Sequence, residues 1–299
     1  MDLLLKILPV ILIFVLGYFL KRVNIFTREN GDLFLKLVFY VAFPALLMVS
    51  VTRLHLSAEL VFLPVAAVLI ILVSYAIVFF ISRFIHLERP SMGVFIIGAV
   101  TMNMGFTYPF LMAAAGEEGL ARASFFDFGN GLMIFTFVFS LACRYGGNGK
   151  NARAVADKLL LSPPIWALAA AVILNLAGLN IPEAGMDFFR SLGNMTVPLI
   201  MLSLGIYFTP KIVRPGLAAA IIALRIAGGF LIGLLFVFLF RLDGLNRSVV
   251  LIGAASPVGY NTLIFSSMEK LDKDLAASII SYSVLLGLVL IPLMFFLTF

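Results

Sequence analysis

The sequence is short of the residue types on which a water-soluble enzyme depends. Only 12% of its 299 residues are charged, with two histidines, one tryptophan and one cysteine. An ordinary soluble domain carries about twice that share of charge. A single cysteine, Cys143, permits no intrachain disulfide and no cysteine metal cluster. It stands near a segment end beside Arg144, where packing is its expected role. His55 and His86 both fall near the ends of apolar runs. No HExxH, GxSxG, GxxxxGK[ST] or GxGxxG-with-acid pattern occurs, and the acid pair Glu117-Glu118 lies in a connection, where solvation is expected. No enzyme activity, cofactor or metal is expected. Long polar stretches are missing too. The longest is residues 144–158, RYGGNGKNARAVADK, which leaves no room for a soluble domain.

What the chain has is apolar surface. Hydrophobic residues make up 63% of it, and mean hydropathy is +1.14. So many apolar side chains do not fit in one aqueous core, and lipid must cover many of them. The net charge of +6 is scattered along the chain rather than gathered in a patch, so nucleic acid is not an expected partner. Ten apolar spans are predicted, at 3–20, 33–51, 59–82, 91–114, 121–143, 160–179, 187–208, 215–240, 248–268 and 275–298. Near 20 residues each and without alternation, they read as helices rather than barrel strands. The first span is longer than a signal-peptide core, and Lys21-Arg22 follows it, so it is expected to stay in the mature protein.

Lysine and arginine set the expected orientation. Connections after spans 1, 3, 5, 7 and 9 carry thirteen of the 21 basic residues; the opposite side carries Arg53, Arg122, Arg190, Arg241 and Arg247. The richer side is expected to be cytoplasmic, in the cell membrane, with both termini outside and the linker at 144–159 inside.

Matches recur at an offset of 154–155 residues. Asp32 and Pro44 correspond to Asp187 and Pro198, Gly98-Ala99 to Gly253-Ala254, and Ser124 to Ser278. The expected fold is therefore all-α: ten transmembrane helices in two five-helix repeats, 1–143 and 160–299. An odd number of spans per repeat inverts the second in the membrane.

Span 4 contains IIGAVTMNMGFTYPFLMAAAG (96–116), with Thr101, Asn103, Gly105, Thr107 and Pro109 at its centre. Its counterpart in span 9 is IGAASPVGYNTLIF (252–265), interrupted by Ser256, Pro257, Gly259, Asn261 and Thr262. Proline removes a backbone donor and glycine leaves helical geometry cheaply. Backbone groups freed there cannot face lipid, so they must line a polar cavity or bind something. Each second half-helix begins near mid-membrane with unpaired N–H groups and about half a positive charge, and two such starts make an anion site. Thr101, Asn103, Gly105, Ser256, Pro257, Gly259 and Asn261 are the candidate binding residues. A proline kink with polar groups bonded across helices is the plainer alternative; the repetition favours a site.

Two charges fall within spans. For Arg225, the open roles are attracting an anionic substrate, pairing structurally, or snorkelling to the surface. Asp127, with Asn130 nearly one turn later, is either a proton or cation coupling group or a buried acid bonded to Asn130 or to backbone. Pro44 and Pro198 are expected to bend spans 2 and 7.

The opening ILPVILIFVLGYFLKRVNIFTRENGDLFLKLVFYVAFPALLMVS, the segment MNMGFTYPFLMAAAGEEGL and the later VPLIMLSLGIYF together resemble the auxin efflux carrier family, whose plant members are the PIN proteins. The resemblance implies a scaffold of spans 1, 2, 6 and 7 and a transport domain of spans 3–5 and 8–10, with spans 4 and 9 crossing as broken helices. By the same resemblance, Asn103 takes the place of the crossover asparagine and Pro257 that of the ninth-helix crossover proline. Met102 stands where plant members have a proline, Tyr108 where a glycine is usual, and the long cytosolic loop of many plant members is absent. These departures fit a compact bacterial-type member, a group associated with dicarboxylates such as malate or malonate.

The expected function is secondary transport of a small organic anion by alternating access, coupled to H+, to Na+ or to membrane potential alone. Expected partners are that anion and the bilayer, and a homodimer is compatible with the sequence. Two other readings stay open: a cation/proton antiporter using Asp127, and a membrane sensor that binds a ligand without moving it.

Overall fold

The computed structural model describes residues 2–54, 57–146 and 163–298. His55 and the linker beyond Gly146, with Lys150, Arg153 and Lys158, lie outside them. Among the described residues the chain is helical, with no strand beyond one isolated bridge. The helical segments are α1 (Asp2–Arg22), α2 (Arg28–Thr52), α3 (Glu59–Ser82), α4 (Arg89–Val100), α5 (Met104–Gly146), α6 (Pro163–Leu176), α7 (Glu183–Tyr207), α8 (Pro215–Leu239), α9 (Gly244–Ala254), α10 (Asn261–Met268) and α11 (Lys273–Thr298).

Among the described residues, six segments are long and apolar enough to cross a bilayer: α2, α3, α5, α7, α8 and α11; α4 and α6 are shorter apolar helices. The difference from ten predicted spans has local causes. Spans 4 and 9 are interrupted, so α4, α9 and α10 have only 12, 11 and 8 residues. The start of span 6 lies outside the described residues. The second half of span 4 runs into span 5 as α5, where Gly116 alone is non-helical, at φ 62° and ψ −153°. A positive φ of this kind is cheap only for glycine, and it turns the chain where the sequence predicts a connection.

Both paired prolines are accommodated rather than merely tolerated. Pro44 follows a π-helical turn, Val38–Ala42, which widens the helix where the proline ring would otherwise meet the carbonyl four residues back. Pro198 stands in the first turn after the chain restarts at Thr196, where a missing N–H costs little.

The chain divides into two compact units. One comprises Met1–Leu60, Tyr108–Ser124 and Leu160–Phe208. Here α1 packs along the second part of α7. Phe208 meets the rings of Phe14 and Tyr18 at 5.9 and 5.4 Å, and Lys21 Nζ donates to its carbonyl at 2.7 Å. The end of α2 is closed from α6: Asn175 Nδ2 donates to the carbonyls of Val51, Thr52 and Leu54 at 2.9, 3.0 and 2.7 Å. The Val51 carbonyl also accepts from the Leu54 amide at 3.2 Å, whereas the Thr52 and Leu54 carbonyls have no backbone donor among the described residues, so one amide serves as an imported cap.

The other unit comprises Val61–Thr107, Phe125–Leu159 and Thr209–Phe299. Ile70, Ile71, Phe95, Phe106, Phe126 and Phe265 are among its fully buried large side chains. In both units large apolar side chains also face outward, with Leu176 73% and Phe238 79% exposed. Such surface is a liability in water and ordinary against lipid.

Replacing Asn175 by leucine removes the donors while nearly keeping the volume. We expect a loss of about 1–3 kcal/mol from carbonyls left without partners, read as a lower melting temperature in detergent. A wild-type melting curve would show that water supplies the cap instead.

Candidate functional site

The unit built from Val61–Thr107, Phe125–Leu159 and Thr209–Phe299 contains both helix interruptions. Helix α4 ends at Val100, and Thr101 turns extended at φ −81° and ψ 114°. The chain re-enters helix at Met104 because Asn103 caps it: its side-chain oxygen accepts from the Phe106 amide at 3.1 Å. Asparagine is among the best residues for this position. In the second interruption α9 stops at Ala254 and α10 starts at Asn261.

The two irregular stretches are bonded to each other. Met102 and Val258 form an antiparallel bridge, and the Gly259 amide donates to the Thr101 carbonyl at 2.9 Å. The Asn103 amide donates to Ser256 Oγ at 3.0 Å, and Asn103 Nδ2 donates to the Val258 carbonyl at 3.3 Å. From α11, Ser283 Oγ accepts from the Val258 amide at 3.0 Å. Thr101 Oγ1 turns back to the Ile97 carbonyl at 2.6 Å. Thr101, Asn103, Ser256 and Val258 are all buried. Gly259 makes the approach possible, since a Cβ there would stand 2.6 Å from a Thr101 methyl and 2.8 Å from the Met102 carbonyl oxygen.

Arg225 is wholly buried in a π-helical turn of α8, Leu224–Gly228. Its guanidinium donates to the carbonyls of Ala99 and Val100 at 3.5 and 3.4 Å, to Ser256 at 3.3 Å, and to Ala254. Ala99 and Val100 are the last residues of α4, Ala254 is the last of α9 and Ser256 lies two residues beyond it, so one side chain caps two helix ends. An extra residue in the turn re-aims the side chain. Gly229 clears the space, because a Cβ there would collide with the Ala254 carbonyl and with the guanidinium itself. Each helix C-terminus carries about half a negative charge. Arg225 offsets the two together, which leaves the positive starts of α5 and α10 without a compensating charge.

Those two starts differ. The Thr262, Leu263 and Ile264 amides of α10 are satisfied by the Gly259 and Tyr260 carbonyls. At α5, only the Phe106 amide is taken by the cap, and no hydrogen bond is made by the Met104 and Gly105 amides among the described residues. Gly105 is half-buried beside open space, its nearest neighbour being Asn103 Oδ1 at 3.7 Å from where a Cβ would stand. Asn261 is half-buried, with its side-chain amide uncommitted among the described residues. Pro257 packs its ring towards Gly287 of α11.

Thus seven of the ten sequence candidates meet at one place: Thr101, Asn103, Ser256, Pro257 and Gly259 at the bridge, with Gly105 and Asn261 at the helix starts beside it. Arg225 reaches the same place from behind, through carbonyls. Asp127 and Asn130 form a local pair within α5, Asn130 Nδ2 donating to Asp127 Oδ1 at 2.7 Å. Sequence reasoning missed Ser283, which carries no local signature. It also missed the GFLIG spacing of Gly229 and Gly233, a small-residue motif that marks a close helix contact.

Among the described residues the chain is helical, with several segments long and apolar enough to cross a bilayer and a buried, paired helix interruption, the pattern of a polytopic membrane protein of the transporter type. Comparison agrees. The profile of the membrane transport protein family matches residues 2–157 and 148–295. An uncharacterized transporter of Methanothermobacter thermautotrophicus is 33% identical over 294 residues, covering 96% of this chain and 95% of that one. MJ1031 of Methanocaldococcus jannaschii, also an uncharacterized transporter, is 29% identical over 96% of both chains. The transporter YfdV of Escherichia coli is 28% identical over 67% of each. The chain belongs to this membrane transport protein family, that of the auxin efflux carriers.

Exchanging Arg225 for methionine leaves the carbonyls of Ala99, Val100, Ala254 and Ser256 without this donor. A loss of roughly 3 kcal/mol is expected, about 6–12 °C in melting temperature. Arg225→Lys, which keeps charge but not the fork, should fall between. Equal stability of all three proteins would refute the capping role. Gly259→Ala should destabilise by overpacking, by roughly 1–3 kcal/mol.

Proposed function

We propose that the protein is a secondary transporter of a small organic anion, and that a carboxylate group binds at the start of α5. One observation carries this reading: the uncommitted Met104 and Gly105 amides at a buried helix start, beside a helix crossing whose negative ends are already offset by Arg225. Helix starts of this kind favour anions. Asn261 supplies a further amide donor, while Asn103, Thr101, Ser256, Pro257 and Gly259 hold the interruption open. Arg225 adds long-range positive potential through its charge rather than by contact.

The wider architecture belongs to the same proposal. Ten transmembrane helices form two inverted five-helix repeats, 1–143 and 160–299, joined by a cytoplasmic linker at 144–159, with both termini outside. The offset of 154–155 residues supports this, as do interruptions at matching places. The unit with α1, α2, α6 and α7 serves as scaffold, and the unit that holds the crossing moves to give alternating access. Dicarboxylates such as malonate or malate are the substrate class, and Asp127 with Asn130 is a candidate coupling pair for H+ or Na+.

A thermal-shift screen with malonate, malate and monocarboxylates on wild type and Asn103→Ala tests the site. A true ligand at one hundred times its Kd stabilises by about 2.7 kcal/mol. Wild type should gain that stabilisation and the variant should lose most of it. Equal stabilisation of both proteins by every acid would refute the site. Stabilisation without uptake into proteoliposomes would make the protein a sensor rather than a carrier.

A further inference from the structure

One acid stands outside everything described so far. Glu269 closes the C-terminal end of α10, where its amide donates to the Phe265 carbonyl at 2.9 Å. The residue is 0% exposed, and neither carboxyl oxygen has a hydrogen-bond partner among the described residues. No salt bridge among the described residues includes it. Its cover is tight: the end of α5 lies so close that a Cβ on Gly146 would stand 2.7 Å from Glu269 Cβ.

Charged and titratable residues occur on the elements around it, and none forms a salt bridge with it among the described residues. From α5 come Arg144 and Tyr145. From α4 comes Arg89, which donates to the Arg144 carbonyl at 2.6 Å. In the connection after Glu269, Asp272 accepts from Ser91 Oγ at 2.8 Å and lies 3.8 Å from Arg214. Lys270 is held in a left-handed backbone conformation, and Lys273 and Asp274 open α11.

An ionised carboxylate buried without a donor or a cation is very costly. A metal ion does not resolve this, because it needs several oxygen ligands, and no cluster of three or more His, Cys, Asp or Glu occurs among the described residues. A proton needs no other ligand. Helix α10 also leads from Glu269 to the crossing. Ser266 and Thr262 lie on the same helical face at three and seven residues' spacing, both buried; Ser266 Oγ donates to the Thr262 carbonyl at 2.6 Å, and Thr262 Oγ1 has no partner among the described residues. The stretch from 262 to 269 spans about 10 Å of helix.

We propose that Glu269 is a proton-binding site, and that the hydroxyls of Ser266 and Thr262 line the way from it to the crossing. The proton adds to one carboxylate oxygen from the aqueous phase at this end of the unit and leaves as the same O–H bond breaks, with no other bond changed. Its coupling to transport rests on the carrier function proposed above; the site itself does not.

Infrared difference spectroscopy on the full chain, in vesicles of phosphatidylethanolamine and phosphatidylglycerol, tests this directly. Wild type should show a protonated-carboxyl C=O band that disappears in Glu269→Gln and shifts on transfer to D2O. If the glutamine variant does not fold, Glu269→Asp should keep the band at a shifted position. A spectrum unchanged by either substitution would overturn the proposal, as would a band that never shifts in D2O, which marks a sealed structural proton. Retention of malonate stabilisation with no Glu269 band sinks the proton site alone. A Glu269 band without malonate stabilisation sinks the anion site alone.

Discussion

Two helices stop inside this protein, and one guanidinium makes that possible. Interrupting a helix away from water exposes carbonyls that have no intrahelical partner, each costing about 1–3 kcal/mol if left bare. Arg225 reaches carbonyls at the ends of both α4 and α9. A buried arginine with no acid partner is itself costly, and the two helix dipoles give it the negative charge that an acid would otherwise supply. Neither the interruptions nor the arginine is stable alone, so each accounts for the other.

The balance of charge follows from this arrangement. With the negative ends offset, the helix starts are what the crossing has left to offer. The rest of the crossing is pinned by short neutral hydrogen bonds through Ser256, Ser283 and Asn103. These groups satisfy one another where Asn103 and Gly259 meet, while the Met104 and Gly105 amides, the Asn261 side chain and Thr262 Oγ1 stay without a partner among the described residues. That division suits a site that must hold a solute without reorganising. The carboxyl of Glu269, without a partner among the described residues, lies at the other end of α10 from the crossing.

The interruptions themselves were legible in the sequence, because glycine, proline, serine and asparagine within an apolar run have few other readings. Their paired positions pointed to one site, and the described hydrogen bonds bring those residues together. Roles were harder to read. Asn103 was expected to donate to a ligand, yet its oxygen caps α5 and its amide holds Val258. Arg225 had three readings, none of them backbone capping, because a carbonyl leaves no trace in residue type. Glu269 sits in the polar stretch EKLDKD and reads as an ordinary surface acid; its burial, with Gly146 packed close by, leaves no mark in that stretch. Hydropathy sees an apolar run whether or not its backbone is continuous, so spans 4 and 9 count as spans although α4, α9 and α10 are each short.

The most direct test of this account is an experimental density map of the protein with bound bromomalonate, its bromine located by anomalous scattering. The account predicts the carboxylate within hydrogen-bonding distance of the Met104 and Gly105 amides, with Arg225 still on the carbonyls of α4 and α9. A carboxylate paired directly with a reoriented Arg225, or bound away from the start of α5, would contradict it.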